Sequence, residues 1–201
     1  MKAQRLFSYV RRATDDYNMI NDGDKIAVGI SGGKDSLTLL YALNGLKRFY
    51  PKKFDVVAIT VDLDFGIQDF SKIEKYCNDM DIEYYVVKTE IANVVFNERQ
   101  ESNPCSLCAK MRKGALNNKA EELGCNKIAY AHHKDDIIET MFLSLIYEGR
   151  FHCFSPVTYL DKKRFFCELG SFFHCFLRFI INEEQKSSFS KLHIEGWKSY
   201  A

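Results

Sequence analysis

The sequence predicts an α/β fold in which a doubly wound parallel sheet carries helices on both faces. Three observations predict it. Strand-like runs alternate with helical periodicity along most of the chain. The runs at residues 25–30 and 54–62 are almost continuously apolar, as strands covered on both faces are. A loop of small residues, Ser31-Gly32-Gly33, joins the first of these runs to a helical pattern, at the kind of strand-to-helix turn where such sheets bind ligands.

Taken in order, residues 3–20 read as an amphipathic helix with Leu6, Tyr9, Val10, Ala13, Tyr17 and Ile20 on one face. The turn cluster Asn21-Asp22-Gly23-Asp24 ends it and launches the first strand at Lys25. A helix over 35–49 stops before Pro51, because the residue preceding a proline is disfavoured in helical geometry. The strand 54–62 follows, then a helix over 69–80 and the strand 83–88. A helix over 105–123 ends before Gly124, the strand 127–131 comes next, and residues 134–147 form the last periodic helix. Crossovers between parallel strands are right-handed, and ligands gather at carboxyl ends. The loops after Ile30, Asp62, Lys88 and Ala131 are therefore expected around one cleft.

A length of 201 residues suits one domain with a sizeable core and an appendage. The net charge of +1 gives no global footprint for nucleic acid, so any such contact needs local patches. Three basic clusters exist: Lys2, Arg5, Arg11 and Arg12; Lys47, Arg48, Lys52 and Lys53; Lys110, Arg112 and Lys113. Each also fits a solvated helix face. Seven cysteines behind an N-terminus that alternates charged and apolar residues, unlike a secretory leader, point to a reducing, cytoplasmic setting. No apolar run approaches the roughly 20 residues that a membrane-crossing helix needs, so no membrane contact is expected.

Ser31-Gly32-Gly33-Lys34-Asp35-Ser36 carries the most chemistry. A strand feeding a glycine loop that opens a helix aims backbone N–H groups and the positive helix end into one space, which suits an oxyanion. The glycines allow close backbone approach, the serines add hydroxyls, and Lys34 adds a full positive charge. Asp35 would repel a phosphate unless a divalent cation lay between them, so it argues for Mg²⁺ with the nucleotide. A plain glycine turn would account for Gly32 and Gly33 but not for the other four residues. The spacing is not that of the Walker loop. It resembles the pyrophosphate loop of the ATP pyrophosphatase superfamily, whose adenine nucleotide alpha hydrolase-like fold and cleavage of ATP between the α- and β-phosphates are what the likeness implies.

Two further constellations stand out. His132-His133-Lys134-Asp135-Asp136 follows the fourth strand, with Glu139 and Thr140 one turn on. Such a set suits Mg²⁺, triphosphate and proton handling, although the carboxylates would also complement a helix N-terminus. Cys105 and Cys108, introduced by Pro104, sit at a helix start. The pair fits a redox dithiol, half of a metal site, or two packed thiols. Cys77, Cys125, Cys153, Cys167 and Cys175 are isolated, so a second Cys-x-x-Cys for a zinc ribbon is missing. Two thiolates and a distant third would hold an iron–sulfur cluster with one open iron.

In this order, with Asp16-Tyr17-Asn18-Met19-Ile20, Gly23-Asp24-Lys25 and Gly149-Arg150, these pieces resemble the tRNA 2-thiocytidine biosynthesis family of tRNA-cytidine 2-sulfurtransferases over about residues 3–160. The resemblance implies ATP-dependent tRNA thiolation, with the cytidine C2 carbonyl oxygen adenylated and then replaced by sulfur. It implies ATP, Mg²⁺ and a [4Fe–4S] cluster. Its partners would be tRNA and a sulfur donor such as a cysteine desulfurase; separately, apolar surface on the aromatic tail over 165–177 would drive association into a homodimer. Ser31, Gly32, Gly33 and Ser36 would hold phosphate, Lys34 would offset charge on pyrophosphate, Asp35 and Asp136 would hold magnesium, and His133 would serve positioning or proton work. Asp62 would lie near the nucleotide, and Cys105 and Cys108 would ligate the cluster. The competing readings are another adenylating ATP pyrophosphatase, of lysidine or amide-forming synthetase type, and a defective nucleotide-binding remnant.

After about Asp161 the likeness stops. The run Phe165-Phe166-Cys167 to Phe176-Leu177 is aromatic without a clean period, and Gln185 to Ser190 reads as loop. The expectation is a catalytic domain over 1–160 and an atypical tail over 161–201, its pattern replaced through a shifted frame or a truncation. Cys153, Cys167 and Cys175 remain as third-ligand candidates.

Overall fold

The computed structural model describes residues 3–66, 68–98, 103–132, 134–153, 155, 157–159 and 167–169. His133 and Cys175 lie outside them. In chain order the elements are α1 (Ala3–Asp16), β1 (Asp24–Gly29), α2 (Lys34–Leu46), β2 (Phe54–Asp62), α3 (Ser71–Asp79) and β3 (Glu83–Lys88). Then come α4 (Ile91–Asn93), which runs on into a π-helical turn (Val94–Glu98), α5 (Pro104–Glu122), β4 (Lys127–Ala129), α6 (Lys134–Glu148), β5 (Val157–Tyr159) and β6 (Cys167–Leu169).

The strands form one sheet in the order β3-β2-β1-β4-β6-β5. All neighbours are parallel except β5, which runs antiparallel on the edge against β6. From β1 the chain winds outward through β2 to β3, then crosses back to place β4 on the other side of β1. The order therefore reverses between β1 and β4, and a crevice opens there beyond the carboxyl ends.

Both faces are covered, as the continuous apolar strands require. On one face Leu6 and Val10 of α1, Leu40 and Leu43 of α2, and Ile73 and Cys77 of α3 pack against Ile26 and Val28. On the other, Leu116 and Ala120 of α5 pack on Ala27, Val57, Ile59 and Ile128. Each fully buried leucine stabilises this arrangement by about 1.5–3 kcal/mol relative to an exposed one. Gly45 of α2 is a close-approach glycine, because a Cβ there would collide with the Phe7 ring of α1.

At the amino ends of β1 and β4 a buried polar network sets their alignment. Lys127 Nζ pairs with Asp24 Oδ2 at 2.7 Å and donates to the Met19 carbonyl at 2.6 Å. Asn126 Nδ2 donates to Asp24 Oδ1 at 2.7 Å, and the Lys25 N–H donates to Asn126 Oδ1 at 2.9 Å. A buried charge pair survives desolvation only with its remaining hydrogen-bonding capacity filled, and here the surrounding groups fill it. The consequence reaches the far edge: β1 and β4 deliver their loops side by side, with Val28 level with Ala129.

Several boundaries differ from the pattern reading. The first helix ends at Asp16, and Asn18 turns left-handed at φ 48°, so Tyr17 is exposed while Met19 and Ile20 are buried. The second helix closes at Leu46 rather than Phe49. The π-helical turn gave no signal in sequence. Cys167–Leu169 is a strand although its surroundings lack a period, since three residues are too few to display one.

Candidate functional site

The cradle is built on a hydroxyl relay beneath it. Ile30, the residue after β1, donates its N–H to the Ile59 carbonyl at 2.8 Å. The Ile30 carbonyl accepts from Thr60 Oγ1 at 3.2 Å, and Thr60 in turn accepts from the Tyr84 hydroxyl at 3.0 Å. Three strands thus anchor the point where the loop begins. Gly32 then takes φ +82°, a left-handed turn that favours glycine. Gly33 is the N-cap of α2 and contributes no side-chain cap, so the positive end of that helix opens toward the loop.

The two serines are linked: Ser31 Oγ donates to Ser36 Oγ at 3.3 Å and accepts the Gly33 N–H at 3.3 Å. Ser36 is buried; its Oγ donates to the Gly33 carbonyl at 2.9 Å and accepts the Ser31 N–H at 3.3 Å, closing the loop on itself. A hydroxyl has one proton, so Ser36 shapes the cradle in this arrangement. Ser31 and Lys34 are exposed toward solvent. Asp35 is half-buried and engaged, yet its Oδ1 oxygen is shielded from solvent and accepts no hydrogen bond. A carboxylate beside the phosphate-binding end of a helix fits Mg²⁺, which takes one or two carboxylates and completes its shell with phosphate oxygens and water.

Asp62 ends β2 beside the cradle. Its carboxylate accepts the N–H of Asp64 at 3.0 Å, in a turn where Asp64 stands at φ 63°, and its carbonyl accepts both the N–H and the hydroxyl of Thr89. On the other side of β1, β4 leads through Tyr130 and Ala131 to His132, which is exposed and stacks on Tyr130 with ring centroids 5.7 Å apart. Asp135 and Asp136 follow in the first turn of α6, both half-buried. The Asp136 carbonyl accepts from Thr140 Oγ1 at 2.6 Å, which stiffens that turn.

Cys105 and Cys108 occupy the start of α5, where Asn103 caps the helix through Ser106 and Pro104 fills the first turn. Cys105 is exposed and Cys108 half-exposed, unlike Cys77 and Cys125, which are buried in the two core layers. Burial pushes the Cys77 thiol up to about 11 and raises that of Cys125. Only Leu116 and Ala120 of α5 are buried, and Leu116 lies level with Gly29 at the strand ends. At about 1.5 Å per residue Cys108 stands about 12 Å up the helix from Leu116, and the turns between them line a pocket with Thr89, Ile91 and Val94, the segment that follows β3.

Among the described residues no three His, Cys, Asp or Glu side chains converge to hold a metal ion. For Mg²⁺ that is compatible with the carboxylates present. For an iron–sulfur cluster Cys105 and Cys108 supply two accessible thiols from one helix start. Register places Cys167 opposite Lys127, at the amino end of β4 and away from the crevice, whereas Cys153 is exposed.

Pattern reading singled out residues 31–36, Asp62, the acidic turn and the cysteine pair, and strand order brings their loops to one edge. It did not find Thr60, Tyr84 or Tyr130. A threonine inside the apolar run 56–61 was the available signal for the first; the two tyrosines look like ordinary strand aromatics.

The PP-loop domain model matches residues 6–157, and the chain belongs to that family. Among curated proteins it is 41% identical over 162 residues to a tRNA-cytidine(32) 2-sulfurtransferase of Saccharophagus degradans, covering 80% of this chain and 52% of the relative. It is 36% identical over 163 residues to the enzyme of that name from Geobacter sulfurreducens, covering 81% and 63%. The chain thus spans about half to two-thirds of the length of these relatives. Among solved structures, the U34-tRNA thiolase NcsA from Methanococcus maripaludis, with its [4Fe-4S] cluster, shares the fold at a TM-score of 0.65 and 24% identity, over 93% of this chain and 63% of that one.

Proposed function

We propose that this chain is an ATP-dependent tRNA thiolase that adenylates the C2 carbonyl oxygen of a cytidine and replaces it with sulfur. The observation that carries the reading is the meeting, at one sheet edge, of a phosphate cradle, an acidic helix start and a helix bearing two accessible thiols. The sulfurtransferase relatives support it.

In the first step the cytidine oxygen attacks the α-phosphorus of ATP and pyrophosphate leaves. Gly32, Gly33 and the α2 N-terminus hold phosphate oxygens, Ser31 adds a hydroxyl, and Ser36 keeps the loop closed around them. Lys34 offsets the charge that grows on the leaving pyrophosphate. Asp35 and Asp136 would hold Mg²⁺, which would offset charge on the triphosphate, His133 would position or move a proton, and Asp62 would border the nucleotide. In the second step C2 gains sulfur and its bond to the adenylated oxygen breaks, so AMP carries that oxygen away. Cys105 and Cys108, with a third thiolate, would hold a [4Fe–4S] cluster, which when bound supplies an open iron for sulfur.

Lys110 and Arg112, exposed on α5, suit the RNA backbone; the other basic clusters are partly spent on Asp15, Asp16 and Asp55. A sulfur donor such as a cysteine desulfurase completes the scheme in a reducing cytoplasm. The apolar residues that α6 exposes support a homodimer. No helix among the described residues is long and apolar enough to cross a membrane.

The test is anaerobic reconstitution with iron and sulfide, then assay with tRNA, ATP and Mg²⁺ for pyrophosphate, AMP and thiolated nucleoside. The expected result is tRNA-dependent release of all three. Asp35→Ala should cut pyrophosphate release at least about 100-fold with an unchanged melting temperature. Cys108→Ala should keep pyrophosphate release and lose thiolation. Pyrophosphate release that ignores tRNA would instead mark an adenylating enzyme with another acceptor.

A further inference from the structure

Beside the carboxyl end of β1 lies a ladder of stacked groups. Gly29 closes β1, and a Cβ there would lie 3.4 Å and 3.5 Å from Cδ1 and Cε1 of Tyr130 and 3.4 Å from Cδ2 of Leu116. The tyrosine ring therefore rests against the strand backbone where only hydrogen projects. Its hydroxyl reaches Asn117 Oδ1 of α5 at 3.4 Å, which ties the ring to that helix. On Tyr130 lies the His132 ring, tilted by only 23° at 5.7 Å, the offset-stacked geometry that aromatic pairs prefer. The sequence of layers is strand backbone, half-buried tyrosine, exposed histidine, solvent.

We propose that the exposed face of His132 is the stacking platform for the RNA base that reacts, with Tyr130 as the residue that positions it. The inference rests on the thiolase reading and deepens it. A flat ring stacked on a tyrosine and exposed to solvent matches the way single-stranded bases are received, by stacking on aromatic or histidine planes. Placement selects the base. The strands that deliver Ser31 and His132 run side by side about 4.8 Å apart, and Leu116 of α5 meets the ladder at Gly29. A base on His132 thus stands beside the loop that β1 delivers, where the acceptor of the first step has to be. The adenine of ATP, on the reading above, extends the other way, across β1 toward Asp62 on β2.

The test uses the full chain and an anticodon stem-loop RNA with pyrrolocytosine at position 32, read by fluorescence quenching and by affinity, with ATP affinity measured in parallel. Wild-type protein should quench the analogue. His132→Ala should abolish quenching and weaken RNA binding about tenfold, the scale of one base stack. His132→Phe should retain both, Tyr130→Leu should lose part of each, and all three variants should bind ATP as wild type does. RNA binding with an unquenched analogue, equal quenching by His132→Ala, or a His132→Phe variant that behaves like His132→Ala would overturn the platform while leaving the thiolase reading intact. A drop in ATP affinity with RNA binding unchanged would also overturn it, by assigning the ring to adenine. A wild-type protein that binds no RNA would remove the thiolase reading and the platform together.

Discussion

The helices α2 and α6 leave the same edge of the sheet, one from each strand that borders the crevice, and each brings part of the site with it. Their burial is opposite. Eight residues of α2 are buried, from Ser36 to Leu46. In α6 Ser144 alone is buried among the described residues, while Phe142, Leu143, Ile146 and Tyr147 are 52%, 55%, 71% and 81% exposed. Both sequences are apolar, so composition does not distinguish them. The difference teaches that the glycine loop is held by the fold's own core, whereas the acidic turn rides on a helix whose described apolar residues are largely exposed.

Three substitutions would sharpen or break that contrast. The largest effect belongs to Lys127, whose ion pair with Asp24 fixes β4, and hence the start of α6, to β1. Lys127→Ala strands a buried carboxylate and should cost about 3–5 kcal/mol in urea unfolding; a cost below about 1 kcal/mol would show that β4 is held by other contacts. Leu43→Ala, in the α2 core, should cost about 2–5 kcal/mol through the cavity it leaves. Ile146→Ser on α6 should stay within about 0.5 kcal/mol for the monomer. If the two leave thermal stability equally changed, the helices are not anchored differently.

The smallest effect is a pH dependence in the α2-side core. Burial raises the Cys77 thiol from its ordinary 9.0 to about 11 in the folded chain. The folded state therefore favours the protonated thiol. That contribution is complete below about pH 9 and is lost as pH rises toward about 11, because the unfolded thiol ionises first. The urea midpoint should fall across this window, and Cys77→Ala should flatten part of the fall; an unchanged slope in the variant would refute the assignment. At neutral pH an alkylating agent should label Cys105 before Cys77.

Legibility in sequence followed the range of the interaction. The strands at 54–62 and 83–88 were readable to the residue, since each is a long run of one pattern and pattern is local. Ser31 to Ser36 was readable because loop chemistry is written in adjacent residues. Tyr130 was not, since its part depends on Gly29 in another strand and Asn117 in a helix. Tyr17 was placed on the buried face by period, and the early turn at Asn18 put it outside.

By itself the sequence determined the α/β alternation, the glycine loop that joins a strand to a helix, the acidic helix start and the cysteine pair at another helix start, because propensity, periodicity and short motifs act between near neighbours. Only the tertiary structure decided that β4 returns beside β1, that hydroxyls from Thr60 and Tyr84 brace the loop, and that a histidine is seated on a tyrosine at the end of β1. Those outcomes come from packing and hydrogen bonds between residues far apart in the chain, and no local pattern encodes which distant partner will be met.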